Sequence, residues 1–141
     1  MPQAPSGWTH VYPAAMDVEV KEDCENAPRK EILRDFNIAL AKGNVGEVLG
    51  WVSDDIAWNL VGNQQVTGKE DFEKALRGSN TKVARLTIEN IITHGKSAAV
   101  DGELELTNGF RISFCDVYGF TSAGRAAKIR SITAYVVSSA A

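Results

Sequence analysis

The stretch from Val83 to Val137 constrains the fold most strongly, because apolar and polar residues alternate along it. A period of two marks a strand with one face buried. Leu86, Ile88 and Ile92 alternate with polar residues up to a turn at His94-Gly95-Lys96. The next strand sets Ala98, Val100, Gly102, Leu104 and Leu106 on one face, and Ala99, Asp101, Glu103 and Glu105 on the other. Thr107-Asn108-Gly109 then reads as a three-residue hairpin loop, with glycine where a left-handed backbone is required. That loop sets the register: Leu106 faces Phe110, Leu104 faces Ile112, Gly102 faces Phe114 and Val100 faces Asp116. On the opposite face Glu105 meets Arg111, an ion-pair match that supports the pairing. A last strand, Lys128 to Val137, brings Ile132, Ala134 and Val136 to the same apolar side. Gly102 opposite Phe114 is expected to leave room on the concave face of the sheet.

One strand of this set carries chemistry. Phe110, Ile112, Phe114, Asp116, Tyr118 and Phe120 share a face, so a single carboxylate stands in an aromatic and aliphatic row. Burying an unpaired charge costs several kcal/mol by rough estimate, so such a group titrates abnormally or has a specific task. Desolvation is expected to raise the pKa of Asp116, which could then act as general acid, general base or hydrogen-bond donor. The structural alternative is a carboxylate tied to backbone amides or to Tyr118. Tyr118 could likewise donate to a ligand beside Asp116 or be a core aromatic.

Upstream the pattern is mostly helical. Pro28 suits an early helical position with Asn26 as cap, Ile32, Leu33, Phe36, Ala39 and Leu40 recur at helical spacing, and Gly43 ends the run. Asn44 and Glu47 open a second short helix in the manner of a capping box. Asp54-Asp55 breaks the pattern before a strand from Ile56 to Val61, with Ile56, Trp58 and Leu60 pointing inward. Thr67 and Glu70 are read as the cap of a third helix that packs through Phe72, Ala75 and Leu76 and stops at Gly78. Helices followed by an antiparallel meander make an α+β domain. Residues 1–25, punctuated by Pro2, Pro5, Gly7 and Pro13, are expected to form a loosely ordered arm, with one domain over residues 26–138. Met16 is a candidate native start.

Composition narrows the function classes. The chain has 141 residues and a net charge of −3, and its fifteen lysines and arginines are scattered, which argues against nucleic-acid binding. No apolar run approaches a membrane span and the N-terminus lacks a signal-peptide core, so the expected location is cytoplasmic. Cys24 and Cys115 read as free thiols, and His10 and His94 stand without ligand spacing, so no metal is expected.

The order of elements resembles the cone-shaped fold shared by nuclear transport factor 2, ketosteroid isomerase and SnoaL-like polyketide cyclases. The resemblance covers roughly Pro28 to Val137. It is carried by the run from Phe36 to Gly43-Asn44, by Val52-Ser-Asp-Asp-Ile-Ala-Trp58, and by Asp116-Val-Tyr-Gly-Phe120 with Lys128-Ile-Arg-Ser-Ile-Thr-Ala-Tyr135. It is especially similar to small bacterial SnoaL-like proteins of unassigned function. The resemblance implies a curved antiparallel sheet with three helices of the N-terminal half on its concave face. Asp116 falls on the acid that ketosteroid isomerases use, protonated, in their oxyanion hole. Their tyrosine position is Phe36 here, and their proton-transferring aspartate position is Leu60, or Asn59 with a shift of one. Steroid-type isomerisation by that mechanism is therefore not expected. Epoxide hydrolases of this fold keep an aspartate before an aromatic in the last strand, where this chain has Ala134 before Tyr135.

These considerations lead to a cavity lined by Phe36, Trp58, Leu60, Val100, Leu104, Phe114 and Ile132, with Asp116 and Tyr118 as its polar groups. The expected occupant is a small, mostly apolar molecule carrying a carbonyl or hydroxyl. Acid–base chemistry such as isomerisation, cyclisation or dehydration would need no cofactor. A homodimer packed through the outer sheet face is also expected. The alternative is a non-catalytic ligand sensor or a homodimerisation module whose cavity is filled by its own side chains.

Overall fold

A computed structural model describes residues 16–139 of the chain. Its elements run β1 (Asp17–Val20), α1 (Pro28–Lys42), α2 (Val45–Gly50), β2 (Val52–Leu60), β3 (Gln64–Thr67), α3 (Lys69–Arg77), β4 (Val83–His94), β5 (Ser97–Leu106), β6 (Arg111–Phe120) and β7 (Ile129–Ser139). The strands form one curved sheet of seven in the order β1-β4-β5-β6-β7-β2-β3. Pairing is antiparallel except at β1–β4 and β2–β7, which are parallel. The architecture is α+β, with the helices packed on one side of the sheet around Leu33, Phe36, Phe72, Ile88, Val100 and Tyr118.

The hairpin that organises the meander has the expected register. Leu104 pairs with Ile112, Gly102 with Phe114, Val100 with Asp116 and Glu105 with Arg111. Gly109 supplies the left-handed residue of the loop, at φ 93°. At the end of α1, Gly43 is left-handed at φ 74°, its N–H donates to Leu40 O at 3.1 Å, and the Asn44 N–H donates to Ala39 O at 2.9 Å. These are the two bonds of a Schellman motif. Asn44 then caps α2, its side chain accepting from the Glu47 N–H at 3.2 Å.

Several details depart from the sequence expectations. Asn26 does not cap α1; it takes a left-handed turn at φ 59°, and Ala27 holds the cap position without a side-chain bond. Thr67 closes β3 rather than capping α3, whose cap position is Gly68 at φ 93°. Asp54-Asp55 lies inside β2, which starts at Val52 and reaches β7 across an irregular stretch. Asp17–Val20, placed by sequence in the loose arm, pairs with β4 as an edge strand, while residues 1–15 lie outside the described residues.

Ile92 is 64% exposed, whereas Ile91 is buried. The cause is a bulge in β4: Ile88 pairs with Gly102 but Asn90 with Asp101, so Glu89 is an extra residue and every later side chain changes face. The space beside Gly102 is not vacant either. A Cβ there would run into the Thr87 carbonyl oxygen and come within 3.1 Å of the Phe114 ring. Bulge and glycine sit opposite each other, and together they bend the sheet over the helices.

Candidate functional site

Bending the sheet over α1 and α3 leaves a cavity of about 360 Å3. This lies within the usual range for small-molecule pockets, roughly 300–1,000 Å3. Its walls are apolar: Leu40 from α1, Trp58 and Leu60 from β2, Phe72 and Leu76 from α3, Leu104 from β5, Phe114 from β6 and Ile132 from β7. Trp58 and Phe72 meet edge to face at 5.8 Å between ring centroids, which fixes one wall. Exposed Ser79 and Thr81, from the turn before β4, lie where the cavity reaches the surface. Among its lining residues Asp116 alone is ionisable.

Alternation along β6 puts Asp116 inward, opposite Val100 on β5 and Ala134 on β7. Those neighbours offer no hydrogen-bonding side chain. Burial pushes the carboxyl up from the ordinary carboxylate range to about 7, and a hydrogen bond from Tyr118 partly offsets the rise. At neutral pH the group is therefore divided between acid and carboxylate, the condition in which one carboxyl can both donate and accept a proton.

Tyr118 and Asn37 form a chain behind this acid. The Tyr118 hydroxyl is 3.5 Å from Asp116 Oδ2, a long contact in which the phenol is the donor. Asn37 Nδ2 donates to Tyr118 Oη at 3.1 Å and to Leu33 O at 2.8 Å. Because the tyrosine oxygen accepts from the amide, its single proton is left for Asp116. The phenol pKa lies well above the ordinary range, first through burial and then through the Asp116 charge. Phe36 stacks edge-on against Tyr118 at 6.0 Å and holds the ring.

The structure brings Trp58, Leu60, Leu104, Phe114, Ile132 and Asp116 to one cavity. It does not bring Phe36, Val100 or Tyr118 to that surface. Phe36 and Val100 have no exposed area and Tyr118 is 2% exposed, so all three stand behind the wall as packing and support. Asn37 does reach the cavity, and the sequence reading missed it. Its signal was available: four residues after Leu33 and three before Leu40, it sits on the apolar stripe of α1.

On the outer face Cys115 neighbours Asp101 and Tyr135 in register. Burial, followed by the nearby Asp101 and Asp116 charges, raises its thiol pKa, the opposite of what a nucleophile needs. Cys24 and Cys115 are free thiols. Among the described residues no cluster of His, Cys, Asp or Glu could hold a metal ion. No described helix is long and apolar enough to cross a membrane.

Residues 33–129, more than half of the chain, match the family model described as SnoaL-like domain. No curated protein matches the sequence. Among solved structures, a candidate ketosteroid isomerase from Kribbella flavida superposes with a TM-score of 0.67 at 17% identity, covering 78% of each chain. A nuclear transport factor 2-like protein of unknown function from Burkholderia xenovorans gives 0.67 at 16% identity, over 81% of this chain and 86% of that one. A de novo designed protein with a curved β-sheet gives 0.63 at 19% identity, over 80% and 88%. At these identities the likeness is one of fold.

Proposed function

We propose that this chain, which belongs to the SnoaL-like domain family, encloses a small, mostly apolar molecule and orients its carbonyl or hydroxyl at Asp116. The observation that carries this is the single carboxyl in an otherwise apolar cavity of about 360 Å3, with its pKa raised to about 7. As an acid it donates to a ligand carbonyl and polarises it; as a carboxylate it accepts from a hydroxyl or takes up a proton. Isomerisation, cyclisation or dehydration are the reaction classes within reach of one such group. A non-catalytic sensor is the second reading, favoured by the lack of another ionisable side chain in the lining.

The proposal extends to a cytoplasmic homodimer. Val117, Tyr135 and Val137 are exposed on the outer face of β6 and β7, and a second copy would cover them. Sedimentation should give a dimer that Val137→Glu converts to monomer; a monomeric wild type would remove this part.

The site itself is tested by thermal shift with apolar ketones, lactones and hydroxylated aromatics against wild type and Asp116→Leu, which has neither donor nor acceptor. Ketones bound through the protonated acid should stabilise the wild type more at pH 6 than at pH 8, and should lose most of that effect in the variant. Equal shifts in both proteins would place the ligand elsewhere.

A further inference from the structure

The amide of Asn37 is 5% exposed, and its orientation is fixed by chemistry. The group 2.8 Å from the Leu33 carbonyl oxygen must be the NH2, since the reverse assignment would set two acceptors against each other. Both amide protons are then committed, one to Leu33 O and one to Tyr118 Oη. The oxygen Oδ1 remains, and no described donor reaches it. Asn37 lines the cavity, so a partner for Oδ1 can be supplied from there.

An amide oxygen in an apolar wall is costly to leave without a hydrogen bond. Its orientation is held, because the nitrogen donates at two points, Leu33 O and Tyr118 Oη.

We propose that Asn37 is a specificity residue: its Oδ1 accepts a hydrogen bond from a hydroxyl of the ligand, so the cavity selects molecules carrying a hydroxyl a few bonds from the carbonyl held by Asp116. This rests on the ligand-binding role proposed above for Asp116. Two polar contacts one tyrosine hydroxyl apart define a donor–acceptor pair on one edge of an otherwise apolar molecule. A plain ketone would leave Oδ1 unpaired, and an ether would place a second acceptor against it.

The probes are 1-tetralone, its 2-, 3- and 4-hydroxy derivatives and their methyl ethers, titrated into wild type, Asn37→Leu, Tyr118→Phe and Asp116→Leu. One gained hydrogen bond corresponds to roughly 3- to 10-fold in affinity. At least one hydroxytetralone should bind wild type that much more tightly than both 1-tetralone and its own ether. Asn37→Leu should abolish the preference for a hydroxytetralone over its own ether, a ratio from which any effect on the carbonyl contact shared by both probes cancels, and Tyr118→Phe, which keeps Oδ1, should retain it. Equal binding of all probes to wild type, with binding lost in Asp116→Leu, overturns the role of Asn37 and leaves that of Asp116 standing. Absence of tetralone binding, or binding indifferent to Asp116→Leu, overturns both. Should Asn37→Leu fail to fold, Asn37→Ala, which also lacks Oδ1, takes its place, and a preference that survives in it overturns the role of Asn37.

Discussion

Asp116 and Glu103 lie on adjacent strands of one sheet, the first facing the cavity and the second the outer surface. Glu103 is half exposed and sits 4.0 Å from Arg111, which also approaches Glu105 at 3.8 Å. Asp116 has apolar side chains across both of its strand neighbours and a long bond from one phenol. The two carboxyls are chemically alike, and pleating alone assigns them to opposite dielectric environments. The outer charges are solvated, and each can be replaced at little cost. A charge on the inner face must be neutralised or partnered, so keeping an acid there costs the fold something that a leucine would not. That cost is the physical mark of a site.

Asp116→Asn gives the largest way to break this contrast. A carboxyl whose folded pKa is raised binds its proton more tightly in the native state. Its stabilising contribution is complete below the unfolded value, near 4, and is lost as pH rises through about 7. Three pKa units correspond to roughly 4 kcal/mol, an upper figure for so buried a group. The urea-derived stability of wild type should therefore fall relative to Asp116→Asn between pH 4 and 8. By pH 8 the variant should be the more stable by about 2–4 kcal/mol. Parallel pH profiles would mean that Asp116 titrates normally and that the two faces do not differ.

Gly102→Ala comes next in size and acts where the faces are set. The added methyl must displace the Thr87 carbonyl and also crowd the Phe114 ring, and backbone in a paired strand yields poorly. A loss of about 2–3 kcal/mol is expected from such overpacking. Because Phe114 is also cavity wall, ligand affinity should fall with it. An unchanged denaturation midpoint would show that the sheet can relax without Gly102 and that its curvature has another origin.

Much of this arrangement was legible in the sequence because strand alternation is a strict rule once a loop fixes the register. Thr107-Asn108-Gly109 fixed it, and Asp116 opposite Val100 followed directly. Where the rule carries an insertion it misleads: the extra Glu89 turned Ile92 outward, and no residue type announces a bulge. The polar edge strand Gln64–Thr67 buries too little to show a pattern. The parallel pairing of β2 with β7 joins segments about 75 residues apart and has no local signal. Asn37 was missed for a different reason. Its position on the apolar stripe could be counted, but its partner Tyr118 lies 81 residues away, and the hydrogen bond that gives it meaning exists only in three dimensions.

The smallest expected effect, from Glu103→Gln, sharpens the contrast from its other side. Removing this carboxylate breaks a 4.0 Å contact with a guanidinium that keeps Glu105 as an alternative. Exposed pairs of this kind contribute about 0.2–1 kcal/mol, and salt screens them further. Stability should move by no more than about 0.5 kcal/mol at low salt, and the difference should vanish near 1 M NaCl. The comparison with Asp116→Asn at the same pH is then informative in sign as well as size. One amide substitution on the inner face stabilises, and the equivalent substitution one strand away on the outer face does almost nothing. A loss above about 2 kcal/mol at Glu103 would require a buried, partnered carboxylate on that face. The outer surface would then be covered in solution, and such a loss should disappear together with the dimer in Val137→Glu.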